Sequence, residues 1–258
     1  KYYEKPAGRS MERSPAAYQI RRERLPRNHL AILEGQMPLD QVLACARERG
    51  VTLTELMTAV FLRAIHAGMR VRDRKKPVVI TIPVNLRSYF PSKSARNFFA
   101  TINVGYDFSK GEDSLEAVLK EVRRSFRKNL TEEKIRERMN ALCALEHSVP
   151  LRLVPLPLKD VILRIANMIA AQGVTASFSN IGKVSMPKEM EKLIHLFSVF
   201  ASAGMLQACA CSFGGVYAVS FASPYRVCET ERVFFRELTQ LGIKVVLTTN
   251  LPPEMEVR

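Results

Sequence analysis

"QACACSFGGVYAVSFA", residues 207–222, is the stretch on which the fold turns. Two alternating runs meet at Gly214-Gly215, and two such runs joined by two glycines predict a β-hairpin with a tight turn. The alternation suggests that Cys209, Cys211, Phe213, Tyr217, Val219 and Phe221 share one face. Ala208, Ala210, Ser212, Ala218, Ser220 and Ala222 would then share the other, where a closely packed helix or a narrow substrate channel must approach. Just upstream, "ASFSNIGKV" (176–184) reads as a strand running into a polar corner. Ser177, Ser179 and Asn180 offer three short hydrogen-bonding side chains within four positions, and Gly182 permits the turn. They either cap the strand or aim donors at a reacting carbonyl; the local sequence leaves both open.

Outward from there the pattern mixes helices and strands. "HLAILE" (29–34) reads as a strand ending before Gly35. Leu39, Val42, Leu43 and Ala46 fall at helical spacing, with a stop at Gly50. Thr52 and Glu55 form a capping box for a helix that, from Leu56 to Met69, is apolar on almost every side and therefore buried. "PVVITIPVNLR" (77–87) predicts a strand covered on both faces, followed by a second at about 99–107. Leu115, Val118, Leu119, Val122 and Phe126 make one helical stripe, with Asp113 and Glu116 as its expected capping pair. A helix at about 131–146 comes next. Beyond it lie a buried or amphipathic helix from about Lys159, a short helix near 187–193 and a strand at about 196–202. A helix at 230–241 and a strand at 243–249 finish the chain. The class is α/β, a two-layer α+β sandwich with helices packed on a mixed sheet.

The 258 residues, 47% apolar and 25% charged, are those of a globular protein with a sizeable core. No apolar core follows the basic residues at the start, so no signal peptide is expected. The chain begins at Lys1 without an initiator methionine, as expected of a chain that is either processed or cut from something longer. Charges and prolines interrupt 151–171, so no membrane span is expected. Five cysteines without a CxxC pair point to reduced thiols and a cytoplasmic location. The net charge of +14 concentrates in 19–27, in 70–76 and around Arg123, Arg124, Arg127 and Lys128. Such a field is either a solvated surface with a cationic bias or one that attracts nucleic acid, anionic lipid or a polyanionic cofactor such as coenzyme A. No zinc-finger, RRM or KH signature accompanies it, so nucleic acid is not the expected partner.

The usual catalytic signatures are missing. His29, His66, His147 and His195 stand at no metal-binding spacing, so no metal is expected. GxSxG, Walker and GxGxxG motifs are absent. His66, on a helix read as buried, is a core histidine rather than a base.

Four pieces together resemble the chloramphenicol acetyltransferase-like superfamily of CoA-dependent acyltransferases and condensation domains, and most of all bacterial alcohol acetyltransferase-like proteins. They are "GVTLTELMTAVFLRAI" (50–65), "VVITIPVNLRSYFPSKSARNFFATINVGYDF" (78–108), "SFSNIGKV" (177–184) and "ERVFFRELTQLGIKVVLTTN" (231–250). The resemblance implies a two-lobed enzyme whose HHxxxDG motif supplies the general base. No HxxxD occurs in this chain: Leu33, Arg70, Leu151 and Val199 stand four residues after the histidines. "FASPYRV" (221–227) occupies the motif's place after the hairpin. The chain thus resembles the second half of such an enzyme, with 1–35 as an arm and first strand and 36–258 as the lobe.

By that resemblance Ser179 is the oxyanion donor, Asn180 orients it, and Arg87 pairs with the aspartate of the motif in the missing half. A strand cap for Ser179 and a plain surface salt bridge for Arg87 stay open beside those roles. Asn97 stands where the family has a Gly-Asn step, though Arg96 replaces the glycine. The implied co-substrate is acyl-CoA, not a tightly bound cofactor, and the acceptor an alcohol. The partner is the lobe carrying HHxxxDG, in the same longer chain or a separate one. Alone, this chain is expected to be inactive. The alternatives are a stand-alone acyl- or CoA-binding module, or a basic nucleic-acid or anionic-surface binder.

Overall fold

Thr52 opens the helix that organises the core. Its side chain accepts the Glu55 amide at 3.2 Å, while the Glu55 carboxylate accepts the Thr52 amide at 2.7 Å. The helix they start, α2 (Leu53–Ala67), buries nearly its whole circumference. These positions come from a computed structural model, which describes residues 16–93, 95, 97–147, 154–202 and 204–251.

A seven-stranded sheet carries the helices. Its strands are β1 (Ala31–Pro38), β2 (Val78–Asn85), β3 (Phe99–Tyr106), β4 (Ala176–Lys183), β5 (Gln207–Phe213), β6 (Val216–Ser223) and β7 (Val246–Thr249). The order across the sheet is β3-β2-β4-β5-β6-β1-β7. β4 runs parallel to both its neighbours, and every other pair is antiparallel. The helices are α1 (Leu39–Glu48), α2, α3 (Leu115–Asn129), α4 (Glu132–His147), α5 (Leu156–Ala171), the short α6 (Lys188–Glu191) and α7 (Glu229–Gln240). Here α1, α2, α3 and α7 share one core with Val78, Ile80, Ile82, Phe178, Val219 and Phe221 of the sheet. At its centre Phe221 meets Phe61, Phe234 and Phe235 edge-on, with centroids 5.3, 5.1 and 5.6 Å away. Pairs of this geometry add to the burial of their area. The layered mixed-sheet class is the one expected.

Several local expectations are corrected. The first strand does not stop before Gly35 but runs through it to Pro38. Gly35 is there because the Phe235 ring fills the space a Cβ would need. β2 is not covered on both faces: Val78, Ile80 and Ile82 are buried, while Val79, Thr81 and Pro83 are only half-buried. Its apolar run reflects β propensity as much as burial. Ser114, not Asp113, caps α3, accepting the Ala117 amide at 3.3 Å.

The hairpin faces differ most. The turn holds two residues, so Phe213 pairs with Val216 and the alternation changes phase across it. Ala208, Ala210 and Ser212 therefore share the helix-covered face with Tyr217, Val219 and Phe221. Cys209, Cys211 and Phe213 face the other way with Ala218, Ser220 and Ala222. On the helix-covered face each small residue of β5 thus pairs with a large one of β6, while on the outer face Cys209 and Cys211 pair with the small Ser220 and Ala218.

The 196–202 strand does not form. That segment is irregular and lies over the outer face of β5. Cys211 Sγ donates to Phe197 O at 3.2 Å, and the Phe197 and Phe213 rings meet at 5.0 Å. α5 is amphipathic but not buried, with every side chain from Leu156 to Ala170 exposed except half-buried Lys159. Of the charged arm, residues 1–15 lie outside the described residues; 16–30 are irregular as expected but held down. Tyr18 N donates to Pro77 O at 2.8 Å, and Tyr225 Oη donates to Ile20 O at 3.0 Å.

Candidate functional site

β2 and β4 are adjacent and parallel, so Arg87, just past one, and Ser179-Asn180, on the other, belong to the same end of the sheet. Crevices at the carboxyl ends of parallel strands are the usual places for ligands in open sheets. The N-terminal turn of α2 reaches this end too.

Ser179 and Asn180 lie on opposite faces of β4. Asn180 points to the helix side, where its Nδ2 donates to Thr54 Oγ1 at 2.9 Å. Its Oδ1 accepts the Gly182 amide at 3.0 Å, closing the turn that Gly182 makes at φ +81°. Asn180 therefore joins β4 to α2 and does not touch Ser179. Ser179 is half-buried on the outer face, and among the described residues its hydroxyl has no hydrogen-bond partner. The two roles weighed for this corner fall on two residues. Asn180 makes the cap, and Ser179 holds a spare donor.

Arg87 is exposed in the 3₁₀ turn after β2, where Asn85 Oδ1 accepts its amide at 3.1 Å. Asn97 is exposed near the same sheet end, and Arg96 lies outside the described residues.

The outer face carries a row that the sequence did not announce. Across four neighbouring strands the register aligns Ser179 with Cys209, Cys209 with Ser220, and Ser220 with Glu34. Glu34 is buried, yet it accepts from Ser220 Oγ at 2.7 Å and from Gln36 Nε2 at 3.0 Å. Buried carboxylates need such partners. Burial raises the pKa of Cys209 and Cys211, keeping both as neutral thiols and poor nucleophiles. The signal was the one acidic residue inside "AILEGQMP", combined with the phase change of a two-residue turn.

No histidine joins Ser179 among the described residues. His66 stacks on Phe108 at 3.9 Å and sits 3.6 Å from Asp113. Burial lowers its pKa, with Asp113 acting in the opposite sense. It is twelve residues along α2 from Thr54, about 18 Å at the helical rise, and so cannot serve Ser179 as a base. His29 and His195 are exposed. Among the described residues no cluster of His, Cys, Asp and Glu could hold a metal, and no helix is long and apolar enough to cross a membrane.

No protein-family profile and no curated protein sequence matches the chain. Solved structures do. Trichothecene 15-O-acetyltransferase from Fusarium sporotrichioides is similar at a TM-score of 0.54 and 13% identity, over 87% of this chain and 48% of that one. Polyketide synthase associated protein 5 from Mycobacterium tuberculosis is similar at 0.51 and 12% identity, over 93% and 56%. The epimerization domain from the third module of tyrocidine synthetase B gives 0.54 and 13%, over 90% and 52%. At these identities the match is one of fold. The chain resembles a lobe of the CoA-dependent acyltransferase fold and spans about half the length of these three proteins.

Proposed function

We propose that this chain is the second lobe of a two-lobed, CoA-dependent O-acyltransferase of the alcohol acetyltransferase-like type, working in the cytoplasm. The observation that carries the reading is the match of nearly the whole chain to about half of proteins such as the Fusarium acetyltransferase. The uncovered apolar face of α5 and the free hydroxyl of Ser179 support it.

In this reading the other half brings the HHxxxDG histidine. That base takes the proton as the acceptor hydroxyl attacks the thioester carbonyl. The new C–O bond forms, the C–S bond breaks, and the CoA thiolate leaves with the proton returned by the same histidine. Ser179 donates to the oxyanion while the carbon is tetrahedral. A donor at that point is worth about 10²–10³ in rate. Arg87, at the same end of the sheet, pairs with the motif's aspartate and holds the catalytic loop. Asn180 keeps β4 in place against α2.

The test joins this chain to a half carrying HHxxxDG, in one polypeptide or as two, and follows acyl-CoA-dependent acylation of an alcohol. Ser179→Ala should lower kcat by about 10²–10³ and leave KM nearly unchanged. The isolated chain should be inactive. Robust acyl transfer by the isolated chain would sink the lobe reading; unchanged kcat in Ser179→Ala would sink the oxyanion role alone.

A further inference from the structure

We infer that the groove between the end of α1 and α3 binds a small molecule carrying two or more linked phosphate groups. The inference rests on this chain's charges and does not depend on the acyl-transfer reading.

The groove has a volume of about 860 Å³ and is lined by Arg49, Lys120, Arg123, Arg124 and Arg127 against only two carboxylates, Glu48 and Glu116. Lys120, Arg123 and Arg127 stand at i, i+3 and i+7, one line along α3 roughly 10 Å long. All three are exposed, and among the described residues none has an ion pair or side-chain hydrogen bond.

Other basic clusters of the chain are partly neutralised. Asp73 meets Arg72 and Lys76 at 3.9 and 3.6 Å. On α4, Arg136 pairs with Glu132 and Lys134 with Glu137. Within the groove Arg124 is held by Glu121 at 2.8 Å. Arg70, Arg74 and Lys75 are also without an ion pair among the described residues; the α3 row differs from them in lining a groove.

The helix does not need this row for its own stability. A cation in the last turn offsets the helix dipole, which accounts for Arg127 but not for Lys120 or Arg123 in mid-helix. Like charges at i, i+3 and i, i+4 disfavour the helix. On the facing wall, Arg49 Nη1 donates to Cys45 O at 3.0 Å and lies 3.7 Å from the Glu48 carboxylate, and among the described residues its buried Nε has no partner. Guanidinium groups gathered in excess of the carboxylates beside them suit phosphate oxygens, which accept two parallel N–H bonds.

The groove favours a small ligand over nucleic acid. Its volume lies within the range of small-molecule sites. No aromatic side chain lines it to stack a base. Glu116 closes one end of the cationic row, and a long polyanion would have to pass it.

The experiment titrates the full chain with inorganic tripolyphosphate by calorimetry at about 0.15 M salt, where bulk charge attraction is screened. Binding should weaken at least about tenfold in Arg123→Ala/Arg127→Ala, since each lost charge-assisted bond is worth about a factor of ten. Lys188→Ala/Lys192→Ala removes the same net charge elsewhere and should change affinity less than about twofold. Thermal melts of both variants should match the parent, because all four side chains are exposed. No binding by the parent overturns the inference, as does equal weakening in both variants. A single-stranded oligonucleotide that binds far more tightly than tripolyphosphate, through the same arginines, overturns it in favour of a nucleic-acid surface.

Discussion

Asn180 Nδ2 donates to Thr54 Oγ1 at 2.9 Å, across 126 positions of sequence, and so ties the end of β4 to the first turn of α2. A polar corner that could have served chemistry is thereby partly committed to architecture. Asn180→Ala should lower unfolding free energy by about 1–2 kcal/mol, the cost of leaving a half-buried hydroxyl and the Gly182 amide without their partner. Ser179→Ala should shift it by less than about 0.5 kcal/mol, because the hydroxyl it removes has no hydrogen-bond partner among the described residues. Urea denaturation of the two variants checks the contrast. A larger loss in Ser179→Ala would mean that the serine is the cap.

Gly35 and Phe235 make a similar point about β1. The ring occupies the volume of a Cβ at Gly35, so Gly35→Ala should destabilise by about 1–3 kcal/mol through overpacking. The double variant Gly35→Ala/Phe235→Leu should recover part of that loss. Additive losses in the double-mutant cycle would show that the two positions do not share the space.

These contacts mark what the sequence could and could not carry. The capping box at Thr52 and Glu55, the β2 run and the two-glycine hairpin are local signals, and local physics suffices to read them. The faces of the hairpin required counting pairs across the turn, where one residue of error exchanges every side chain. Gly35 looked like a strand end because a close approach by a ring 200 positions away leaves no local trace. The apolar residues of α5 gave the helix but not its exposure, since periodicity reports a face without saying what covers it. At the candidate site, Ser179 and Asn180 were visible as residue types. Their opposite orientations and the row to Glu34 follow only from strand register.

Glu231, in the first turn of α7, is buried, and among the described residues one carboxylate oxygen has no partner. Burial raises its pKa above the ordinary 4.5, against bonds from its own amide and Ser223. A raised carboxyl pKa contributes stability that is complete below the unfolded value and is lost as pH rises through the folded one. Glu231→Gln should therefore leave stability at pH 4 nearly unchanged and increase it at pH 7–8. Thermal melts across that window check it, and a variant less stable than the parent at pH 8 would contradict the sign.

Burial also governs the cysteines. The Cys228 thiol is pushed up to about 12, first by burial and then by Glu231. Cys45, Cys209 and Cys211 are raised for the same leading reason. Cys143 is the one thiol of the five that is not buried. Iodoacetamide at pH 8 should label Cys143 well before the others, as read by mass spectrometry of the native protein. Fast labelling of Cys209 or Cys211 would mean that the segment around Phe197 opens from the outer face.

α5 gives the prediction that bears most on the proposed second half. Leu158, Val161, Ile162, Ile165, Met168 and Ile169 fall on one face at helical spacing, and each is at least 40% exposed. A contiguous apolar face of that kind marks a contact surface. Val161, Ile165, Met168 and Ile169 make few contacts within the chain, so replacing all four with glutamine should cost little stability, within about 0.5 kcal/mol each. The same replacement should reduce binding of a hydrophobic dye and the self-association of the isolated chain at high concentration. Joined with a half carrying HHxxxDG, the quadruple variant should assemble more weakly than the parent, as read by sedimentation. Unchanged assembly together with a large loss of stability would place the apolar face of α5 inside the fold of this chain rather than at its border.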